Sequence, residues 1–164
     1  MNFEPEKLED YKSERTIKRS FVFWFLGFLG LLGIDQLSKL IVFDYNGILP
    51  FSVFDWLVLF KNDQFAFSLP VPVGVIYLIY AAVIGGIIWH LHKTHWTLNR
   101  TTSLAWIFIL AGGLSNIAER LFIGYVRDFI PVPNGGIINI ADIYIIFGVL
   151  ILLIVELRNN RAKK

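Results

Sequence analysis

The chain has 164 residues, of which 55% are hydrophobic and only 17% charged, and its formal net charge is +2. A mean hydropathy of +0.60 excludes an ordinary soluble domain, and with so small a net charge and no basic face interleaved with aromatics, nothing points to nucleic acid. Cysteine is absent, which excludes disulfides, thiolate metal sites and a cysteine nucleophile. The class implied is an integral membrane protein forming one membrane domain over 1–164.

Residues 1–20 form a charged tail in which Lys7, Lys12, Arg15, Lys18 and Arg19 balance Glu4, Glu6, Glu9, Asp10 and Glu14. No apolar run there is long enough for a core, so a solvated or surface-lying segment is expected. The first span is expected at 21–43. The clean apolar run Phe21–Ile34 is followed by Asp35-Gln-Leu-Ser-Lys39 and more apolar residues with no small-residue cleavage pattern, so a retained helix is expected rather than a signal peptide. Further spans are expected at 73–89, 104–121 and 137–157, giving an all-α membrane protein with four transmembrane helices. Between the last two, Pro131, Pro133 and the Asn134-Gly135-Gly136 sequence read as a turn. Gly112 and Gly113 are expected to let helices approach closely.

An even number of spans puts both termini on one side. Eleven of the 15 Lys and Arg residues fall in the N-terminal tail, the 90–103 loop and the C-terminal tail, so those segments are expected in the cytoplasm. The outer loops are then 44–72 and 122–136. The first is rich in aromatics, including Phe51, Phe54, Trp56, Phe60, Phe65 and Phe67, and Val53–Phe60 has the composition of a strand. A loop this apolar is expected on the membrane surface or packed over the helix ends.

With that topology the unusual polar residues share one depth, near the outer water–lipid boundary. Asp35 and Lys39 are four apart on the first span, and Asn116, Glu119 and Arg120 share the end of the third. Asn139 and Asp142 lie in the first turns of the fourth, and Asp128 lies in the preceding loop. Structural readings compete for most of them: an intrahelical ion pair for Asp35 and Lys39, snorkelling for Glu119 and Arg120, interhelical hydrogen bonds for Asn116 and Asn139. Asp142 has no basic residue three or four positions away, which makes it the strongest functional candidate.

The three histidines, His90, His92 and His95, lie at the opposite end of the second span, and no His-Glu-x-x-His or glycine-rich phosphate loop is present. What remains at the cluster is carboxylates with amide and cationic support. Two carboxylates brought close cannot both ionise easily. The charged one can then act as general base on a water while the protonated one donates to a carbonyl. Asp128 and Asp142 are the best candidates for such a pair.

Five blocks of the chain resemble the lipoprotein signal peptidase (signal peptidase II) family. They are Asp35 with Lys39, Asn62-Asp-Gln-Phe-Ala-Phe-Ser68, Ser115-Asn-Ile-Ala-Glu-Arg120, Val126-Arg-Asp-Phe129 and Asn139-Ile-Ala-Asp142, in the family's order. The resemblance implies four helices with a small β-cradle and a surface helix on the outer side. It implies a catalytic dyad of Asp128 and Asp142, with Asn62, Asn116, Arg120 and Asn139 lining the site and Asp35, Lys39 and Glu119 beside them. The implied substrate is a diacylglyceryl-modified prolipoprotein in the lipid bilayer of the bacterial cell membrane, cut just before the modified cysteine. No cofactor, no metal and a monomer are expected. Gln64, Phe65, Ser115 and Glu119 stand where the family's blocks have Gly, Ala, Gly and Asp, and Glu119 is expected to support Arg120. The competing reading is a small ion- or proton-coupled transporter or channel. Such a path needs polar residues through both leaflets, whereas here the inner halves of the spans are nearly free of them.

Overall fold

A computed structural model gives the architecture and describes residues 5–44, 57–63, 71–93, 99–133 and 135–162. In chain order the elements are α1 (Pro5–Asp44), β1 (Phe60–Asn62), α2 (Val73–Lys93), α3 (Arg100–Ile123), β2 (Val126–Asp128), β3 (Ile130–Pro131), β4 (Ile137–Ile138) and α4 (Ile140–Ala162). Among the described residues, three stretches are long and apolar enough to cross a bilayer: Val22–Phe43 of α1, all of α3 and all of α4. At about 1.5 Å per residue, the 22 residues of Val22–Phe43 reach roughly 33 Å, against about 30 Å of hydrocarbon. The expected second span lies within α2, where the apolar stretch among the described residues, Tyr77–Gly86, is shorter.

Helix α3 packs against both α1 and α4, most extensively against α4, and α1 and α4 also touch one another. Close approach of α3 to α4 depends on a glycine at each end of their contact. A methyl group on Gly112 would collide with the backbone oxygen of Ala141 and come within 2.8 Å of Ile145. One on Gly148 would come within 2.6 Å of both the Ala105 backbone oxygen and Ile109. Small residues give this kind of packing where water supplies no drive to bring helices together. Gly113, expected to act alike, has nothing within 4 Å of that position.

Burial is inverted relative to a soluble protein. Large apolar side chains such as Phe23, Leu26, Leu37, Phe147, Leu150 and Leu153 face outward. The largest fully buried side chains are instead Lys39, Asn139, Asp35, Asp128 and Ser115, with Val126. Hydrocarbon tolerates an apolar exterior but not an unpaired polar group, so the polar residues gather inside.

Several boundaries differ from the sequence expectation. The helical backbone starts at Pro5, so the charged segment continues the first span as helix. Residues 137–138 do not belong to the fourth span: they form β4, paired antiparallel with β3 (Ile130 with Ile138, Pro131 with Ile137). Asn139 caps the helix that follows, which fixes its start at Ile140. At the N-terminus of α3, Asn99 accepts the Thr102 N–H at 2.8 Å, so that helix starts four residues before the expected 104. Of the expected strand at 53–60, Phe60 belongs to β1 (Phe60–Asn62). Residues 57–59 are not in a strand, and 53–56, like Gln64, Phe65, His95 and most of the 44–72 loop that suits the expected surface helix, lie outside the described residues.

After α3 ends at Ile123, the segment up to α4 carries three short strands, β2, β3 and β4. Strand β2 pairs antiparallel with β1, bringing Phe60 opposite Asp128 and Asn62 opposite Val126. Phe129 joins the two ladders: its N–H donates to Ile138 and its carbonyl accepts from Val58. Gly135, at φ 85°, serves the turn between β3 and β4. This small cradle sits over the C-terminal parts of α1 and α3 and the start of α4.

Candidate functional site

The site is assembled where the cradle meets those three helix ends. Asp128 ends β2 and Asn139 stands between β4 and α4. Asn139 and Asp142 cap one another: the Asp142 N–H donates to Asn139 Oδ1 at 3.0 Å, and the Asn139 N–H donates to Asp142 Oδ2 at 3.1 Å. This reciprocal cap satisfies backbone donors at the helix start and holds the Asp142 carboxylate over the positive end of the helix. Because Asn139 Oδ1 is committed to that cap, its NH2 group is free to donate elsewhere. It donates to Asp128 Oδ1 at 2.6 Å and to Asn116 Oδ1 at 3.1 Å. A single residue thus contacts both carboxylates.

Asn62 on β1 donates to the other oxygen of Asp128 at 2.8 Å. Asn116 on α3 donates to Asp142 Oδ1 at 2.9 Å. Its orientation is set by Lys39, whose ammonium can only donate and does so to Asn116 Oδ1 at 2.9 Å. Every oxygen of the two carboxylates therefore accepts one N–H, leaving further lone-pair capacity for a water or substrate. Asp128 is 1% exposed, whereas Asp142 is partly exposed.

Burial pushes Asp128 up from 3.8 to about 6. The amides of Asn62 and Asn139 pull in the opposite direction, and the neighbouring Asp142 charge adds to the rise. A carboxyl group in that range changes protonation close to neutral pH, as acid–base chemistry requires.

Asp35 and Lys39 are fully buried behind this pair. Asp35 accepts the Ala141 N–H at 2.8 Å, so α1 supplies a cap to the first turn of α4, next to Asp142. Lys39 contacts Asp35 and Glu119 at 2.9 Å each, a buried cation held between two carboxylates. The expected partner of Glu119 was Arg120. Its carboxylate instead takes Lys39 together with the backbone N–H (3.1 Å) and Nε (2.6 Å) of Arg127. Arg120 is buried on α3 one turn after Asn116, and its carbonyl accepts the C-cap N–H of Gly124.

Eight of the nine residues singled out from the sequence are thus joined by hydrogen bonds and ion pairs into one cluster, and the ninth, Arg120, is buried at the same end of α3. Gln36, Ser115 and Arg127 also belong to the cluster, and their part was missed. Gln36 is a polar residue beside Asp35 in the middle of a span, which was a usable signal; Ser115 and Arg127 gave none beyond adjacency to Asn116 and Asp128. Among the described residues, no group of three His, Asp or Glu is arranged to hold a metal ion.

The fold and this cluster define a membrane protein with a pair of amide-braced carboxylates at one end of its helices. Residues 28–158 match the family model for signal peptidase (SPase) II. The chain is 31% identical over 143 residues to a lipoprotein signal peptidase of Streptococcus pyogenes serotype M1, covering 84% of this chain and 92% of that one. To the corresponding protein of Streptococcus pneumoniae (strain ATCC BAA-255 / R6) it is 34% identical over 140 residues, covering 79% and 89%. A bacterial membrane enzyme solved by the in meso method at 2.3 Å shares the fold, with a TM-score of 0.73 over 87% of this chain and 92% of that one at 22% identity. The chain belongs to the signal peptidase II family, and is therefore a membrane-embedded protease.

Proposed function

We propose that the protein is an aspartic-type endopeptidase that removes the signal peptide from diacylglyceryl-modified prolipoproteins, cutting just before the lipid-modified cysteine. The lipoprotein signal peptidases it is similar to support the substrate class. The observation that carries the mechanism is Asn139, whose side-chain amide donates to Asp128 while its backbone N–H donates to Asp142. This holds both carboxylates around one residue, at the end of the helices where polar groups gather.

In the proposed reaction the two carboxyl groups share one proton. The ionised one takes a proton from a water as the water oxygen attacks the scissile carbonyl carbon; the other gives its proton to the carbonyl oxygen. A gem-diol results. Its collapse breaks the carbon–nitrogen bond, the leaving nitrogen taking the proton that came from water and a diol hydroxyl returning the other. Asn62, Asn116, Arg120 and Asn139 line the site, while Asp35, Lys39 and Glu119 support it from behind. The charged groups buried at this end have no counterpart among the described residues at the other, which favours a site over a conduction path.

The same reading includes four crossings, with α2 as the second. At 21 residues it reaches roughly 32 Å, enough for the hydrocarbon. The Lys and Arg distribution supports cytoplasmic termini and a site at the outer face, and the same reading takes the chain as a single membrane domain working as a monomer. Asp128→Asn and Asp142→Asn, each checked for membrane insertion, are expected to leave a lipid-modified prolipoprotein uncut on a gel. Normal processing by either variant sinks the dyad. A reporter fused after Asn62 is expected to lie outside the cytoplasm, and a cytoplasmic signal there reverses the orientation.

A further inference from the structure

Six side chains behind the carboxylate pair close into a ring. Ser115 Oγ donates to Asp35 Oδ2 at 2.6 Å and accepts from Gln36 Nε2 at 2.7 Å. Gln36 Oε1 accepts from Arg127 Nη2 at 3.3 Å, and Arg127 Nε donates to Glu119 Oε1 at 2.6 Å. Glu119 Oε2 meets Lys39 Nζ at 2.9 Å, and Lys39 returns to Asp35 Oδ2 at 2.9 Å. The ring joins α1, α3 and β2, three elements that share no covalent turn except the short one at Gly124-Tyr125.

We propose that Glu119 and Arg127 are positioning residues for peptide cleavage, fixing β2, and with it the Asp128 carboxylate, against α1 and α3. The inference rests on the reading of Asp128 as one of the cleaving pair. Three observations carry it. Glu119 grips both the backbone N–H and the side chain of the residue immediately before Asp128, so β2 can neither slide nor twist without breaking charged hydrogen bonds. Its carboxylate is 3% exposed and the Arg127 side chain 14%, so bulk water does little to screen the contact. The ring also shares Lys39 with Asn116, and Asn116 donates to Asp142, so one framework sets both carboxylates. Reach matters as well. A glutamate extends one methylene beyond the aspartate of the family's block, and Glu119 uses its two oxygens to bridge Lys39 and Arg127.

The contact is formed before substrate arrives and touches no reacting atom, so its loss should lower kcat and leave KM nearly unchanged. Displacements of about 1 Å at a reacting group are worth up to roughly 100-fold in rate. Arg127→Met and Glu119→Asp, purified in detergent and assayed on a lipid-modified prolipoprotein, are each expected to lower kcat by roughly 10- to 100-fold. Because both cut the same link, the double variant should fall no further than the slower single variant. Gln36→Met opens the ring without removing a charge and should lower kcat in the same direction by a smaller factor. The positioning role is overturned by Arg127→Met or Gln36→Met retaining wild-type kcat, by losses confined to KM, or by single losses that multiply. Asp128→Asn in the same assay separates the two ideas: active Asp128→Asn removes the underlying dyad. An inactive Asp128→Asn beside a fully active Arg127→Met removes only the positioning role.

Discussion

Replacing Asp128 by Asn should make the protein's stability respond to pH in a calculable way. Asp128 is 1% exposed, and burial above all lifts its pKa from 3.8 to about 6. Between those values the folded protein keeps a proton there that the unfolded chain has lost. Stability therefore falls as pH rises through that window, and the penalty is complete above about 6. At about 1.4 kcal/mol per pK unit, ionising Asp128 in the folded state costs roughly 3 kcal/mol at neutral pH. Asparagine escapes that cost but introduces another. Its NH2 group must face one of the two amides that now donate to Asp128, from Asn62 and Asn139, leaving donor against donor. That penalty is about 1–3 kcal/mol and does not depend on pH. The variant is therefore expected to be less stable than the parent near pH 4, and to gain about 3 kcal/mol relative to it by pH 7. Thermal unfolding of both proteins in the same detergent across pH 4–8 measures the difference, since the other titrating groups largely cancel. A stability difference that stays flat over this range would refute the assignment of a raised pKa to Asp128.

Cleavage by the parent protein should fall on the acid side of about pH 6 as Asp128 gains its proton, which a pH profile of kcat/KM checks. Lys39→Met leaves Asp35 and Glu119 buried without the cation between them, at a cost of about 3–5 kcal/mol, and little folded protein should accumulate in membranes. Gly112→Ala must push the first turn of α4, and so Asp142, away from α3. It should lower stability by roughly 1–3 kcal/mol and slow cleavage, whereas Gly113→Ala, which meets nothing within 4 Å, should fold and cleave as the parent does.

The helices were the most legible part of the fold because hydrocarbon imposes long apolar runs directly on the sequence. Boundaries were less so. Ile137 and Ile138 read as the start of the fourth span because an apolar dipeptide has the same composition in a helix or a strand; only pairing with Ile130 and Pro131 decided for the strand. Phe60–Asn62 likewise forms a strand because β2 lies beside it, not because of a local pattern.

The sequence by itself determined the class, the family and the identity of the polar residues at issue. Polar groups are so costly in an apolar segment that their mere presence marks the site. Partnership was decided only in three dimensions. Glu119 and Arg120 are neighbours in sequence, yet the Glu119 carboxylate pairs with Lys39 from another helix and with Arg127 from the cradle. Asp35 and Lys39 do form the local ion pair their spacing allows, but the same two residues also cap α4 and orient Asn116. Helical periodicity fixes which residues share a face and says nothing about what that face meets. The approach of α1, α3, α4 and the cradle supplied the rest, through contacts between residues as many as 106 positions apart.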